Sequence, residues 1–256
     1  MKIATWNVNS IRARCEVVVG WLQTWQPDVL CVQETKVEDA SFPVEAFEKI
    51  GYGAAFSGQK AYNGVAIFSR WPIADVCAGL PDAAQDPQRR VLTATIQGIR
   101  LINVYVPNGE SVISPKFSYK LEFFKKLQDY LARCCKETDA LLIMGDFNVA
   151  PEARDVYDPD GWEGEVLCHP HEREAMKRLQ SVGVEDLFRR FHPEGGHYSW
   201  WDYRMASFRQ NLGLRIDHIM ATASLSSRCV SCEIDREIRG IEKPSDHAPV
   251  VAAFQL

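Results

Sequence analysis

The sequence predicts an α/β protein in which two mixed, mainly antiparallel β-sheets pack face to face with helices outside, and three observations lead there. Short apolar, β-branched runs recur along the chain, strand-like runs follow one another between Gly64 and Val106 without a helix between them, and only a few segments carry a helical period. A regular strand–helix alternation, which would build a parallel sheet, is thereby disfavoured.

The strand-like runs are residues 2–6, 29–32, 64–68, 91–96, 99–106, 140–144, 214–220 and 248–254, each bounded by Gly, Pro, Asn or Asp. Helical periodicity covers residues 11–25, 117–135 and 172–181, the last with Pro170 ahead of it as a start signal. Turn formers crowd residues 107–114 and 149–170, where Tyr157-Asp158-Pro159-Asp160-Gly161 is the densest cluster. Loops that long in a compact fold usually carry function. No repeat, low-complexity tract or linker interrupts the chain, so residues 1–256 are expected to form a single domain.

With 256 residues and 46% hydrophobic content, the chain can bury a sizeable core. No apolar stretch approaches the roughly 18 residues of a membrane span, and the N-terminus has no signal-peptide shape, so a soluble, cytoplasmic protein is expected. The eight cysteines sit mostly inside apolar runs such as Val29-Leu30-Cys31-Val32, as small hydrophobes do. Cys229 and Cys232 form a lone CxxC without a second ligand pair, which argues against structural zinc. A net charge of −5 gives no general attraction to nucleic acid, so a phosphate-bearing partner has to be met by a local basic patch or by metal ions.

Several apolar runs end abruptly in polar groups. The 2–6 run leads into Asn7 and Asn9, 29–32 into Gln33-Glu34, 99–106 into Asn108 past Tyr105, 140–144 into Gly145-Asp146-Phe147-Asn148, and Leu214-Arg215-Ile216 into Asp217; Asp246-His247 stand before the final run. Any one of these caps a turn by ordinary preference. Together, delivered to one rim of a sandwich, Glu34, Asp146, Asp217 and Asp246 would make a nest of like charge, costly unless a cation compensates. Oxygen donors without a Cys or His cluster favour a hard ion, Mg²⁺ or Mn²⁺, which in turn suits a phosphate substrate.

At these residues the chain resembles the exonuclease III group of the endonuclease/exonuclease/phosphatase superfamily. The matching segments are WNVNSIRA at Trp6–Ala13, CVQETK at Cys31–Lys36, YNGVA at Tyr62–Ala66, NVYVPN at Asn103–Asn108, GDFN at Gly145–Asn148, LRID at Leu214–Asp217 and SDHAP at Ser245–Pro249, all in the family's order. The resemblance implies a four-layered α/β sandwich and a Mg²⁺-dependent DNA repair nuclease, with Mn²⁺ able to substitute. Such an enzyme acts as a 3′-to-5′ exonuclease on double-stranded DNA, trims 3′ ends and cuts at abasic sites. Its partners are duplexes with 3′ ends, gaps or abasic sites, and a monomer is expected. A phosphodiesterase on another phosphate substrate, and an inactive DNA-binding relative, are the alternatives.

Carried over residue by residue, the resemblance makes Glu34 a metal ligand, Asn9 a residue holding the metal through water, and Asp246 a second candidate ligand. Asn7 orients the neighbouring acid, Asp146 activates the attacking water, Asn148 contacts the scissile phosphate, and Tyr105 supports phosphate or leaving group. Asp217 and His247 match the family's Asp–His pair. Asn108, Lys36 and Arg90 are expected at the DNA, the last two as phosphate contacts. Trp200, Leu214 and Ile216 fall where the family receives a flipped abasic sugar. In the loop Val166-Leu167-Cys168-His169-Pro170-His171, a bulky imidazole, His169 or His171, is expected to crowd that pocket and favour exonuclease over abasic-site cleavage.

Overall fold

The computed structural model describes residues 1–81 and 86–255. Its strands are β1 (Lys2–Asn7), β2 (Val29–Gln33), β3 (Gly53–Ser57), β4 (Val65–Ser69), β5 (Ala74–Ala78), β6 (Val91–Ile96), β7 (Ile99–Tyr105), β8 (Leu141–Asp146), β9 (Val184–Asp186), β10 (Asp217–Thr222), β11 (Cys229–Ile234) and β12 (Val250–Phe254). They form two six-stranded sheets, ordered β11-β12-β1-β2-β4-β3 and β5-β6-β7-β8-β10-β9. In each sheet one central pair is parallel, β1 with β2 and β7 with β8, and the other pairs are antiparallel.

Side chains alternate across each strand, and this sorts the core. Ile3, Cys31, Val65 and Ile67 of one sheet meet Leu92, Leu101, Leu142, Met144 and Ile219 of the other in the central layer. The opposite faces carry the helices. Val18, Trp21 and Leu22 of α1 (Cys15–Trp25) and Phe47 of α2 (Val44–Glu48) cover Ala4, Trp6, Leu30 and Phe68. Phe123, Phe124, Leu127 and Leu131 of α3 (Pro115–Glu137), with Met176 and Leu179 of α4 (Pro170–Gln180), cover Ile102, Val104, Ile143 and Met220. Two short helices, α5 (Leu187–Phe191) and α6 (Ala223–Ser226), complete the set. The architecture is the four-layered α/β sandwich expected from the sequence.

The differences have physical reasons. β3, β5, β9 and β11, which the apolar pattern missed, are the edge strands of the two sheets. An edge strand packs fewer neighbours and so needs no strong apolar run; every residue of β5 is exposed. The helix expected from residue 11 starts at Cys15 because residues 11–14 form a turn that tucks Ile11 fully into the core. The strand expected from residue 214 begins at Asp217. Leu214 makes only isolated bridges, to Val156 and Trp200.

Candidate active site

The same alternation that sorts the core also aims the site. Asn7 lies in phase with Ile3 and Thr5, Tyr105 with Leu101 and Asn103, Asp146 with Leu142 and Met144, and Asp217 with Ile219 and Ala221. Each therefore points between the sheets, at one rim of the sandwich. Register makes them neighbours: Asp146 is paired with Tyr105 on one side and with Asp217 on the other, while Asn7 is paired with Gln33 across the gap. A buried polar bridge lies beneath them. Gln33 Nε2 donates to Asn103 Oδ1 at 2.7 Å, and Asn103 Nδ2 donates to the carbonyls of Val32 and Ala66 at 3.0 and 2.9 Å. These bonds tie sheet to sheet where a purely apolar core would leave the rim free to slide.

Gly145 is required for this packing. At φ +145° it lies so close to β7 that a Cβ would stand 1.9 Å from the Val104 carbonyl oxygen. The chain then turns through Asn148, at φ +51°, whose backbone N–H donates to Asp146 Oδ1 at 2.9 Å. Glu34 also adopts a left-handed backbone, at φ +55°. Such conformations in non-glycine residues cost about 1–3 kcal/mol and persist where surrounding structure imposes them.

Asn7 is the hinge of the constellation: its amide donates to Glu34 Oε1 and to Asp146 Oδ2, each at 2.8 Å. His247 Nδ1 is 2.8 Å from Asp217 Oδ2, and its Nε2 is 3.7 Å from Asp146 Oδ2. The first contact commits Nδ1 to Asp217. The second is too long for a hydrogen bond, so Nε2 and the Asp146 carboxylate face one small space. The acid beside His247 in sequence has other partners: Asp246 accepts from Asn9 Nδ2 at 2.9 Å and from Trp200 Nε1 at 3.1 Å. Lys36 sits against Glu34 at 2.7 Å, and the Arg90 guanidinium stacks 4.7 Å over the Tyr105 ring. Asn108 Nδ2 donates to Asn148 Oδ1 at 3.1 Å.

Charge follows burial. Desolvation opposes the His247 cation, yet the carboxylates of Asp217 and Asp146 outweigh it and lift the imidazole to about 10. Burial, with Asp217 and Glu34 adding to it against the pull of His247 and Asn7, raises Asp146 to about 7. Burial first, then the charges of Glu34 and Asp146, hold the Tyr105 phenol protonated well above its ordinary value, with Arg90 opposing. One ligand atom each from Glu34, Asp146 and His247 lies within 4.8 Å of the others. Among the described residues the buried Asp217 Oδ1 atom has no hydrogen-bond partner. So much carboxylate gathered around few cations fits a hard divalent ion held by oxygen, and Glu34 is among the residues that could hold it.

An apolar cluster adjoins this centre. Leu214 and Ile216 pack with Val156, Leu167 and Cys168, and Trp200 lies against them. Leu167 is 4% exposed and holds φ +78°, a conformation unfavourable for a branched side chain. The His169 ring contacts Phe117 and His171 edge-on, at 5.1 and 4.8 Å, and its Nδ1 caps α4 by accepting from the His171 N–H.

Some supporting residues escaped the sequence reading. Ser199 Oγ donates to Asp217 Oδ2 at 2.7 Å while accepting the Ile216 and Asp217 N–H groups. Lys120, with no exposed surface, is paired with Glu172 and donates to the carbonyls of Asn108 and Asn148 at 3.0 and 2.6 Å. Its signal was available, since a lysine three and four residues from Phe117 and Phe124 falls inside the apolar stripe of α3. Ser199 carried none, because nothing local distinguishes it from other serines. Arg215, 1% exposed, binds Asp155 at 2.6 Å and Asp186 at 2.8 Å and fixes the chain next to Asp217.

The profile of the Endonuclease/Exonuclease/phosphatase family matches residues 4–247. An exodeoxyribonuclease III from Haemophilus influenzae is 38% identical over 267 residues, covering all of both chains. Among solved structures, a 3′-5′ exonuclease (NExo) from Neisseria meningitidis superposes with a TM-score of 0.99 at 45% identity, again over both full chains. An AP endonuclease from Archaeoglobus fulgidus superposes at 0.96 with 43% identity, over the full length of each chain. Overall similarity thus does not separate these two activities. With a match over nearly its whole length and full-length relatives of such identity, this chain belongs to the endonuclease/exonuclease/phosphatase family.

Proposed function

We propose that the chain is a magnesium-dependent DNA repair nuclease, with manganese able to substitute, that hydrolyses phosphodiesters from 3′ ends of double-stranded DNA. It acts as a cytoplasmic monomer, and residues 1–256 form one catalytic domain. Among the described residues no helix is long and apolar enough to cross a membrane. The observation that carries the reading is the gap bounded by Asp146 and His247 Nε2, with Asn7 and Glu34 across it.

Hydrolysis needs a water placed in line with the bond from phosphorus to the 3′-oxygen, neutralisation of charge on the phosphoryl oxygens, and help for the departing oxygen. Asp146, aligned by the Asn7 amide and the Asn148 N–H, takes the proton of that water. General-base assistance of this kind contributes roughly 10²–10⁴-fold. His247, kept cationic by Asp217, donates from Nε2 to a phosphoryl oxygen, and the Asn148 amide donates beside it. Tyr105, protonated at every working pH, supports the leaving side. Glu34 would hold the cation, with Asp246 and Asn9 nearby, and its contribution when bound is to offset charge on the phosphate. Lys36, Arg90 and Asn108 line the approach of the DNA backbone.

A second activity, cleavage at abasic sites, is supported by one feature: the apolar cluster of Trp200, Leu214 and Ile216 suits a sugar that has lost its base. Leu167 and the His169 loop bound that space and favour the exonuclease. The test is cleavage of a labelled duplex with a recessed 3′ end, and of one with a central abasic site, with Mg²⁺ and with chelator. Mg²⁺-dependent shortening from the 3′ end, faster than abasic cutting, is expected. Cleavage indifferent to chelator, or none with DNA binding intact, would overturn the proposal.

A further inference from the structure

The segment between α5 and Ser199 reads Phe191-His192-Pro193-Glu194-Gly195-Gly196-His197, and its polar side chains converge outside the active site. Glu194 Oε1 lies 2.9 Å from His197 Nε2 and 3.6 Å from His192 Nδ1. One ligand atom from each of the three residues falls within 4.8 Å of the others. We propose that His192, Glu194 and His197 form a second metal site, which takes a transition-metal dication of the zinc class.

The geometry matches that ion. Bonds of about 2.0–2.1 Å in a tetrahedron set neighbouring ligand atoms ~3.3 Å apart, and the two distances from Glu194 bracket that value. Imidazole nitrogen is a donor that Zn²⁺ accepts readily and Mg²⁺ does not, so the chemistry differs from that of the oxygen-rich catalytic centre. Two nitrogens and one carboxylate oxygen leave the remaining position to water.

The loop is already built around the site. His192 Nε2 is 2.9 Å from the Cys232 carbonyl of β11, with Glu233 Oε2 at 3.3 Å, so the N–H points there and the Nδ1 lone pair is turned to Glu194. Carbonyl and carboxylate partners of this kind fix the tautomer of metal-binding histidines. Both imidazoles lie against Phe188: His192 stacks on its ring at 4.5 Å and His197 meets it edge-on at 5.6 Å. The backbone is pinned as well. Arg189 donates to the carbonyls of His192 and Glu194, and Arg154 to that of Pro193. Gly196, at φ +85°, makes the turn that brings His197 back toward His192. Little ordering is left for the metal to impose, and a bound ion would clip α5 and β11 to the segment that continues into Ser199.

The experiment is calorimetric titration of the full chain with Zn²⁺ in excess Mg²⁺, for the wild type, Glu34→Gln, Glu194→Gln and His197→Ala, with a thermal melt of each. Wild type and Glu34→Gln are expected to bind one Zn²⁺ per chain and to melt higher with it. Glu194→Gln and His197→Ala are expected to bind at least about tenfold more weakly, the loss that even a supporting partner of a ligand brings, and to lose the Zn²⁺-dependent rise in melting temperature. His197 is 39% exposed, so its truncation leaves the fold intact, which equal melting without Zn²⁺ verifies. No binding by wild type, loss of binding only in Glu34→Gln, or equal affinity in all four proteins would overturn the proposal.

Discussion

Asp217→Asn isolates the role of the buried pair behind His247. The amide keeps the shape of the carboxylate and can still accept from Ser199, but it removes the negative charge 2.8 Å from His247 Nδ1. Neutralising one partner of a buried pair costs about 3–5 kcal/mol, and one pKa unit corresponds to about 1.4 kcal/mol, so the imidazole should fall by roughly two to four units from about 10. The sign follows directly. A raised histidine pKa keeps the cation until pH rises through that value, so lowering it removes the cation at lower pH. An imidazole lowered to about 6–8 keeps between about one half and one hundredth of its cation at pH 8, so the variant is expected to cleave a recessed 3′ end about 2- to 10²-fold more slowly there, with a smaller deficit at pH 6. Single-turnover rates from pH 6 to 10, read beside an imidazole titration by NMR, measure both quantities. A His247 titration that does not move, or a deficit equal at all pH values, would refute the reasoning.

Other consequences concern stability, metal and specificity. Arg215→Met takes the guanidinium from Asp186 and leaves Asp155 with Arg189 alone, and is expected to cost about 3–5 kcal/mol in denaturant unfolding at pH 7; less than about 1 kcal/mol would contradict the network. Despite burial, Arg215 and its neighbours hold both acids below the ordinary carboxylate value. That stability is present above the unfolded pKa and lost as pH falls through the folded one, so the gap between variant and wild type should narrow in acid. Asp146 has the opposite sign: its raised pKa favours the protonated form, which a cation must displace. Mg²⁺ affinity is therefore expected to rise with pH through about 7 and then level, and a flat calorimetric profile would argue against Asp146 at the metal centre. Leu167→Gly suits φ +78° and empties part of the apolar cluster. It should raise abasic-site cleavage relative to exonuclease by roughly tenfold or more, and by more than His169→Gly does; an unchanged ratio would dismiss Leu167 as a determinant.

How far the sequence revealed the molecule depended on burial. Interior strands such as β1, β8 and β12 are apolar on both faces and announce themselves, whereas the edge strands, β5 above all, need no such run and were missed. The residues at the rim were legible because a polar group closing a buried strand is conspicuous, as Asp146 after Leu141-Leu142-Ile143-Met144 is. Their partners are not legible in the residues themselves: the family resemblance pairs His247 with Asp217, 30 residues away, as the fold does, while the turn of adjacent Asp246 to Asn9 and Trp200 is seen only in the fold. Lys36 and Arg90 read as cations for phosphate, but their contacts within the protein, Lys36 with Glu34 and Arg90 over the Tyr105 ring, had no signal in the sequence. Leu167 reads only as part of the loop that carries His169, and its left-handed backbone leaves no trace in composition.

The central claim, that Asp146 and His247 act together on a phosphate in the gap between them, is tested most directly by single-turnover cleavage of a recessed 3′ end by Asp146→Asn, with duplex binding measured by anisotropy. The account predicts near-wild-type DNA affinity with cleavage reduced by about 10²–10⁴-fold or more. Cleavage within about tenfold of wild type, or a loss explained by failure to bind DNA, would contradict it.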